Sequence, residues 1–196
     1  MTVVGMHGRI GAGKNETARL IAELADVPVR ELSLAAPLKL SAAAALGVHA
    51  SVLETWKRDP DVLVTISRRE WGRTRVLHSQ TVREYLQRYG TEAHRDVFGE
   101  SFWVDAVLPA SLDHSDRLVV VTDVRFPNEA ARVRELGGHV VGIRGPDDEA
   151  GEHRSEHPLE CDLWIDNTVR DDDHRSLRTQ VSRLLAILNV PLKSGL

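Results

Sequence analysis

The sequence predicts an α/β protein in which a parallel β-sheet is covered by helices on both faces. The N-terminal apolar run, residues 2–6, leads into a glycine-rich loop and then into an amphipathic helix. Two later apolar runs, residues 117–124 and 139–143, alternate with segments of helical periodicity. Strands that alternate with helices are typical of a parallel sheet buried on both faces.

The remaining elements of the sheet follow in chain order. A helix begins near Lys14, where alanine and isoleucine recur at helical spacing. A second helix begins near Pro127 and ends at a pair of glycines. Residues 162–166 form a further predicted strand, and residues 173–188 form an amphipathic helix that closes the fold.

The middle of the chain, from about residue 35 to residue 112, has the pattern of several helices and of no strand. We therefore expect a helical insertion that forms one wall of a ligand cleft. The insertion is rich in basic side chains, namely Lys57, Arg58, Arg68, Arg69, Arg73, Arg75, Arg83, Arg88 and Arg95.

A polar and acidic stretch follows the run at residues 139–143. It predicts a mobile lid at about residues 145–157, with Arg144 at its root and Arg154 inside it. Arginines that a closing lid delivers can stabilise the charge on a transferring phosphoryl group. The same composition also fits a disordered acidic loop.

Length and composition limit the class of protein. At 196 residues, with 42% hydrophobic and 28% charged residues, the chain fits one globular domain. The net charge of −4 does not favour binding to a nucleic acid polymer. Cys161 is the single cysteine, and no apolar run is long enough to span a bilayer. We therefore expect a cytoplasmic protein with neither nucleic acid nor membrane as a partner.

The loop at residues 8–15, GRIGAGKN, departs at one position from the phosphate-binding pattern G-x-x-x-x-G-K-[ST]. Gly8, Gly13 and Lys14 match, whereas Asn15 replaces the hydroxyl residue that would contact Mg²⁺. Glycines let backbone N–H groups converge on phosphate, and the following helix adds its positive dipole end. The loop predicts a nucleotide site, and a plain strand-to-helix turn with a solvated lysine is the alternative.

Asp123 follows a buried strand and would lie beside this loop if that strand neighbours the first. There it could bind Mg²⁺, directly or through water, or accept a proton from the substrate. Arg125, two residues later, suits a second phosphate group. Helix capping by Asp123 is the alternative interpretation.

Residues 89–105 have the pattern of a helix, a turn and a helix, with Phe98, Phe102 and Trp103 as core residues. The arginines of this region, Arg88 and Arg95, are either solvated or bound to a ligand.

Several segments together resemble the deoxynucleoside monophosphate kinases of tailed bacteriophages. They are GRIGAGKNETA, APLK, LQRYGTEAHRDVFGESFWVD, VVVTDVRFPNEAARVRELGG and EHRSE. The resemblance implies a three-layer P-loop kinase fold with a helical acceptor-binding insertion and a lid. It also implies phosphate transfer from ATP to a dNMP with Mg²⁺ and a location in an infected bacterial host. The sequence does not set the oligomeric state, and a homodimer is one option.

Through this resemblance each site residue acquires an expected role. Catalytic roles fall on Lys14, Asp123, Arg125 and Arg154. ATP binding falls on Gly8, Arg9, Gly11, Ala12, Gly13, Lys14, Asn15, Glu16 and Arg144. Acceptor binding falls on Lys39, Arg69, Arg88, Arg95, Trp103, Asp123, Arg125 and Glu129. Asp123 is expected to bind the metal, directly or through water, and Asn15 is the second candidate ligand.

Two other interpretations stay open at this point. Phosphomevalonate and dephospho-coenzyme A kinases share part of the layout, because an anionic acceptor beside ATP needs similar arginines. A nucleotide-binding regulator without catalysis would explain Asn15, although it would need neither the acceptor arginines nor a lid.

Overall fold

The computed structural model describes residues 2–113, 115–146, 159–169 and 174–194. The chain forms two compact units. The first unit comprises Met1–Leu34 and Val104–Leu196, and the second comprises Ala35–Trp103.

The first unit is built on a five-stranded parallel sheet with the order β2-β5-β1-β6-β7. The strands are β1 (Val3–His7), β2 (Val29–Leu32), β5 (Leu118–Val121), β6 (His139–Arg144) and β7 (Leu163–Asp166). The three inner strands consist almost entirely of buried residues, as a sheet covered on both faces requires. The predicted α/β fold class is confirmed.

Helices cover both faces of this sheet and form two separate cores. The helices are α1 (Lys14–Leu24), α6 (Phe102–Val107), α7 (Pro127–Glu135) and α8 (Arg175–Ile187). One core contains Ile21 of α1 and Val181 of α8, and the other contains Val133 of α7 and Leu108, which follows α6. The helical periodicities in the sequence predicted all four helices.

The second unit contains α2 (Ala36–Ala45), α3 (Ala50–Trp56), β3 (Leu63–Glu70), β4 (Arg73–Thr81), α4 (Val82–Gly90) and α5 (Asp96–Phe98). A π-helical turn, Thr91–Arg95, joins α4 to α5. The expectation of a strand-free insertion is wrong, because β3 and β4 form an antiparallel hairpin.

The hairpin turns at Trp71 and Gly72, which both have positive φ, as two-residue hairpin turns require. Most of its side chains are exposed, and four of them are arginines. The strands therefore lack the alternation of apolar and polar residues that marks a half-buried strand in a sequence.

Within the described residues, no single helix has both the length and the apolar character to cross a bilayer. One pair of helices in this described part of the chain, α2 and α3, meets that test together, on length and composition alone, although it is bent by 94° at its break.

Candidate active site

The candidate site of the first unit lies where the parallel strands end. The glycine loop follows β1, Asp123 follows β5, Gly145 follows β6 and Asn167 follows β7. Because β5 and β6 both pair with β1, their carboxyl ends flank the loop. Ligands of open α/β sheets bind at this edge.

Three glycines of the loop have positive φ, which is 157° at Gly8, 86° at Gly11 and 102° at Gly13. A Cβ atom at Gly8 would lie 2.6 Å from the carbonyl oxygen of Ile143, and one at Gly13 would meet the amide of Asn167. Only glycine avoids both the strain and the collisions. The glycine pattern is therefore a packing requirement as well as a means of exposing backbone N–H groups.

Lys14 is the first residue of α1, and its ammonium lies over the loop. Nζ donates hydrogen bonds to the carbonyl oxygens of Gly8, at 2.5 Å, and Arg9, at 2.7 Å. The first turn of a helix leaves N–H groups without intrahelical acceptors. The cation and these amides together can bind the phosphates of a nucleotide.

The polar side chains that follow Lys14 lie in different surroundings. Asn15 is exposed, whereas the Glu16 carboxylate accepts a hydrogen bond from Arg19 at 2.6 Å, and this bond lowers the pKa of Glu16. A carboxylate that is ionised and paired with an arginine would repel phosphate. If Glu16 takes part in ATP binding, its backbone N–H is the suitable group.

Asp123 is half-buried and held from two sides. Its Oδ2 accepts a hydrogen bond from the hydroxyl of Ser33, and its Oδ1 accepts one from the backbone N–H of Leu34, both at 2.7 Å. These residues follow β2, the neighbour of β5. These hydrogen bonds connect Asp123 to the segment after β2, and the N-cap position of α7 is occupied by Phe126.

The side chain that completes the start of α7 is Glu129, which is buried. Its Oε2 accepts hydrogen bonds from the backbone N–H groups of Arg125, at 2.7 Å, and Phe126, at 3.1 Å. Arg125 itself is exposed. Glu129 thus fixes the backbone that carries Arg125, and this contact gives it a positioning function beside its expected role at the acceptor.

The described residues include no group of three or more histidine, cysteine, aspartate or glutamate side chains that could hold a metal ion. Mg²⁺ bound to ATP takes most of its ligands from phosphate and water, so one protein carboxylate is sufficient. The chemistry of Asp123 fits that requirement, and the exposed amide of Asn15 offers a neutral oxygen.

The sequence analysis missed Asn167, which is 5% exposed and lies under the loop. Its Nδ2 donates to the carbonyl oxygen of Ala12 at 2.9 Å, and its backbone N–H donates to the carbonyl oxygen of Arg144 at 2.8 Å. One residue thus connects the end of β7 to the glycine loop and to the end of β6. Only its place directly after a predicted strand could have indicated this function.

We expect Asn167→Ala to raise the KM for ATP about tenfold and to lower the free energy of unfolding by about 1–2 kcal/mol, because a buried carbonyl loses its donor. Steady-state kinetics and urea unfolding measure the two effects. Thr168→Ala is the matched control, since among the described residues the Thr168 hydroxyl bonds to the exposed side chain of Asp166 alone. An unchanged KM for ATP in Asn167→Ala would show that the loop keeps its shape without this contact.

The predicted lid is described only at its edge. The guanidinium of Arg144 lies over the ring of Trp164, with its Cζ atom 4.7 Å from the centroid. Arg154 and the other lid residues from 147 to 157 lie outside the described residues. The role of Arg154 stays a prediction.

The expected acceptor residues of the second unit are mostly at its surface. Lys39 pairs with Glu54 at 2.6 Å, Arg69 is exposed on β3, and Arg88 of α4 pairs with Glu92 at 3.0 Å. Arg95 ends the π-helical turn.

The two aromatic residues Trp103 and Phe98 were both expected in the core. Trp103 is 4% exposed and donates through Nε1 to the carbonyl oxygen of Gly90, so it is a core residue as expected, and its role in acceptor binding stays a prediction. Phe98 is 65% exposed, although the sequence predicted it in the core. Its ring stacks on that of Phe102, with centroids 5.2 Å apart.

Sequence similarity relates this chain to one protein family. Residues 64–174, more than half of the chain, match the family model for deoxynucleotide monophosphate kinase. The chain is 27% identical to the deoxynucleoside-5'-monophosphate kinase of Escherichia phage T5, over 82% of this chain and 84% of that one. A protein of Acanthamoeba polyphaga mimivirus with a provisional deoxynucleotide monophosphate kinase name is 28% identical, over 83% and 82%.

Solved structures were also matched along almost the whole chain. An APS kinase of Mycobacterium tuberculosis in complex with AMPPNP and APS is 14% identical, with a TM-score of 0.41, and covers 96% of this chain and 97% of its own. The shikimate kinase of Bacteroides thetaiotaomicron is 13% identical, with a TM-score of 0.42 and coverages of 96% and 99%. Assignment to a family rests on the sequence matches.

Proposed function

Since this chain belongs to the deoxynucleotide monophosphate kinase family, we propose that it transfers the γ-phosphate of ATP to a deoxynucleoside monophosphate, giving a dNDP and ADP. The observation that carries this proposal is the glycine loop, whose positive-φ glycines and Lys14 stand at the N-terminus of α1. The sequence matches favour this family over phosphomevalonate and dephospho-coenzyme A kinases.

In the proposed reaction the first unit holds ATP. The loop at residues 8–15 would bind the phosphates through backbone N–H groups. Lys14 would contact the outer phosphates and stabilise the negative charge that develops on them during transfer. Asp123 would hold Mg²⁺ together with water and the ATP phosphates, and a bound metal ion supplies neutralisation of phosphate charge. Ser33 and Leu34 support this role because they orient the Asp123 carboxylate.

The second unit would hold the acceptor. Arg95 would bind the acceptor phosphate, with Lys39, Arg69 and Arg88 as further basic residues on this unit. Arg125, Arg144 and Arg154 would supply positive charge to the phosphates, and Glu129 would position Arg125. Arginine suits these positions because its planar guanidinium binds phosphate through two parallel hydrogen bonds.

A coupled assay of ADP release tests the proposed function. We expect turnover with at least one of dTMP, dGMP, dCMP and dAMP, and much lower kcat/KM with phosphomevalonate and dephospho-coenzyme A. The ribonucleotide partner of each dNMP tests preference for the deoxy sugar. ADP release with no acceptor dependence at all would contradict the proposal, as would a higher kcat/KM with phosphomevalonate. A homodimeric state and a cytoplasmic location stay predictions.

A further inference from the structure

The segment between β5 and α7, residues 122–126, carries two residues with proposed roles at the phosphates. Asp123 and Arg125 stand on either side of Val124, which is buried. The backbone N–H of Val124 donates to the carbonyl oxygen of Met6, in β1, at 3.0 Å. The segment is therefore connected to β1 through its middle residue, and the conformation of Val124 affects both of its neighbours.

His7 makes a second contact between β1 and this segment. It is the last residue of β1, and the other four residues of that strand, VVGM, are buried. Nδ1 of the half-buried ring lies 3.1 Å from the carbonyl oxygen of Val124. A carbonyl oxygen only accepts, so Nδ1 carries the hydrogen in this contact, and the neutral ring is the Nδ1–H tautomer. β1 thus binds both backbone polar groups of Val124, the N–H through Met6 and the C=O through His7.

The contact of His7 acts on the peptide group that Val124 shares with Arg125. The C=O of Val124 and the N–H of Arg125 belong to one planar unit. His7 donates to the oxygen of this unit, and the Glu129 carboxylate accepts from its N–H at 2.7 Å. A planar group that is held at both ends has a fixed orientation, which sets the direction of the chain at Arg125. Because the Arg125 side chain is exposed, packing contributes little to its direction and the backbone contributes more.

Loss of the His7 ring should release one end of this peptide and leave the other end held. Among the described residues, the ring of His7 is the donor to the Val124 oxygen. The hydrogen bonds from Arg125 and Phe126 to Glu129 do not involve His7 and would remain. We therefore expect a change in the orientation of the peptide rather than unfolding of the segment.

We propose that His7 is a positioning residue of the phosphoryl-transfer site. By donating from Nδ1 to the carbonyl oxygen of Val124, it orients the peptide before Arg125 and directs the Arg125 guanidinium toward the phosphates. This inference rests on the proposed function and deepens it. A guanidinium that is already oriented loses less conformational freedom when it binds phosphate through two hydrogen bonds.

Leucine and asparagine form a matched pair of substitutions for His7, because their side chains have nearly the same shape and only asparagine carries a donor. The asparagine NH₂ group and the imidazole Nδ1 are both attached to Cγ, so asparagine can still donate to Val124. His7→Leu should lower kcat/KM for the best dNMP about tenfold, whereas His7→Asn should stay within about threefold of the unmodified protein. His139→Leu is the control on the same sheet, since His139 begins β6 at the edge opposite the site, and it should stay within about twofold.

A double-mutant cycle shows whether His7 acts through Arg125. In an Arg125→Ala background, His7→Leu should cost no more than about twofold in kcat/KM, because no guanidinium is left to direct. A tenfold loss in both backgrounds would overturn the inference, since His7 would then act on another group. Equal losses in His7→Leu and His7→Asn would also overturn it, because the donor would then have no effect.

Amide hydrogen exchange in the absence of any nucleotide separates this inference from the proposed function. Exchange in peptides that cover residues 122–128 should be about tenfold faster in His7→Leu than in the unmodified protein, and close to the unmodified rate in His7→Asn. That pattern in a protein that phosphorylates no dNMP would contradict the proposed function and support the contact of His7. Unchanged exchange in His7→Leu would overturn the inference.

The tautomer of His7 in the unmodified protein gives a test that needs no variant. ¹⁵N NMR of the imidazole should show hydrogen on Nδ1 in the neutral ring, as donation to Val124 requires. A neutral ring with hydrogen on Nε2 would overturn the inference, and this result is valid even if His7→Leu fails to fold.

Discussion

Replacing Lys14 with alanine should lower kcat for the phosphorylation of a dNMP by about 100-fold or more. The ammonium is the cation that the loop places at the start of α1, over the carbonyl oxygens of Gly8 and Arg9. Loss of a hydrogen bond between charged groups costs about 1.5–3 kcal/mol, which corresponds to roughly 10- to 100-fold in rate. Because Lys14 would contact a phosphoryl group on which charge develops during transfer, we expect the loss to lie at the upper end of this range. The loss should appear in kcat rather than in KM, since the contact is strongest in the transition state.

Lys193 offers a matched control for this substitution. Its Nζ also donates to backbone carbonyl oxygens, those of Ala22 and Glu23, near the opposite end of α1. Lys193→Ala should stay within about twofold of the unmodified protein in kcat, and both variants should unfold within about 1 kcal/mol of it. Retention of more than a tenth of kcat in Lys14→Ala, with the fold intact, would remove Lys14 from the proposed transfer step.

The first unit could be predicted well because its signals are local. A buried strand, a glycine loop and a helix with Lys14 at its start occupy adjacent stretches of sequence. Asp123 likewise ends an apolar run, and in a parallel sheet the ends of neighbouring strands meet at one edge. Apolar runs and helical periodicity were sufficient for every strand of this sheet except β2, whose sequence VREL has two exposed charged residues.

The contacts that shape the site could not be predicted because they are long-range. Asn167 bonds to Ala12 across a separation of 155 residues, and Ser33 bonds to Asp123 across 90. No local pattern of residues encodes either pair. The hairpin of the second unit could not be predicted for a different reason, because its strands are exposed and rich in arginine.

Asp123→Asn should lower kcat by about 100-fold or more at every Mg²⁺ concentration. Both oxygens of the carboxylate accept hydrogen bonds, from Ser33 and Leu34. An asparagine keeps one acceptor and turns an NH₂ group toward the other donor, while the negative charge is lost. Added Mg²⁺ cannot restore either the charge or the orientation, so titration with the metal should not rescue the variant.

Asn15→Ala, in contrast, should have a small effect. It decides whether Asp123 alone or Asp123 together with Asn15 is essential at the metal site. Asn15 is exposed, and the backbone N–H groups and Lys14 do not depend on its side chain. Water readily replaces a displaced neutral ligand of Mg²⁺, so kcat at saturating Mg²⁺ should fall by no more than about threefold. Ser33→Ala, which removes one bond to Asp123 and keeps its charge, should fall between the two. If Asn15→Ala is as inactive as Asp123→Asn across the Mg²⁺ titration, Asn15 is itself an essential part of the site, and Asp123 alone does not account for the protein's share of metal binding.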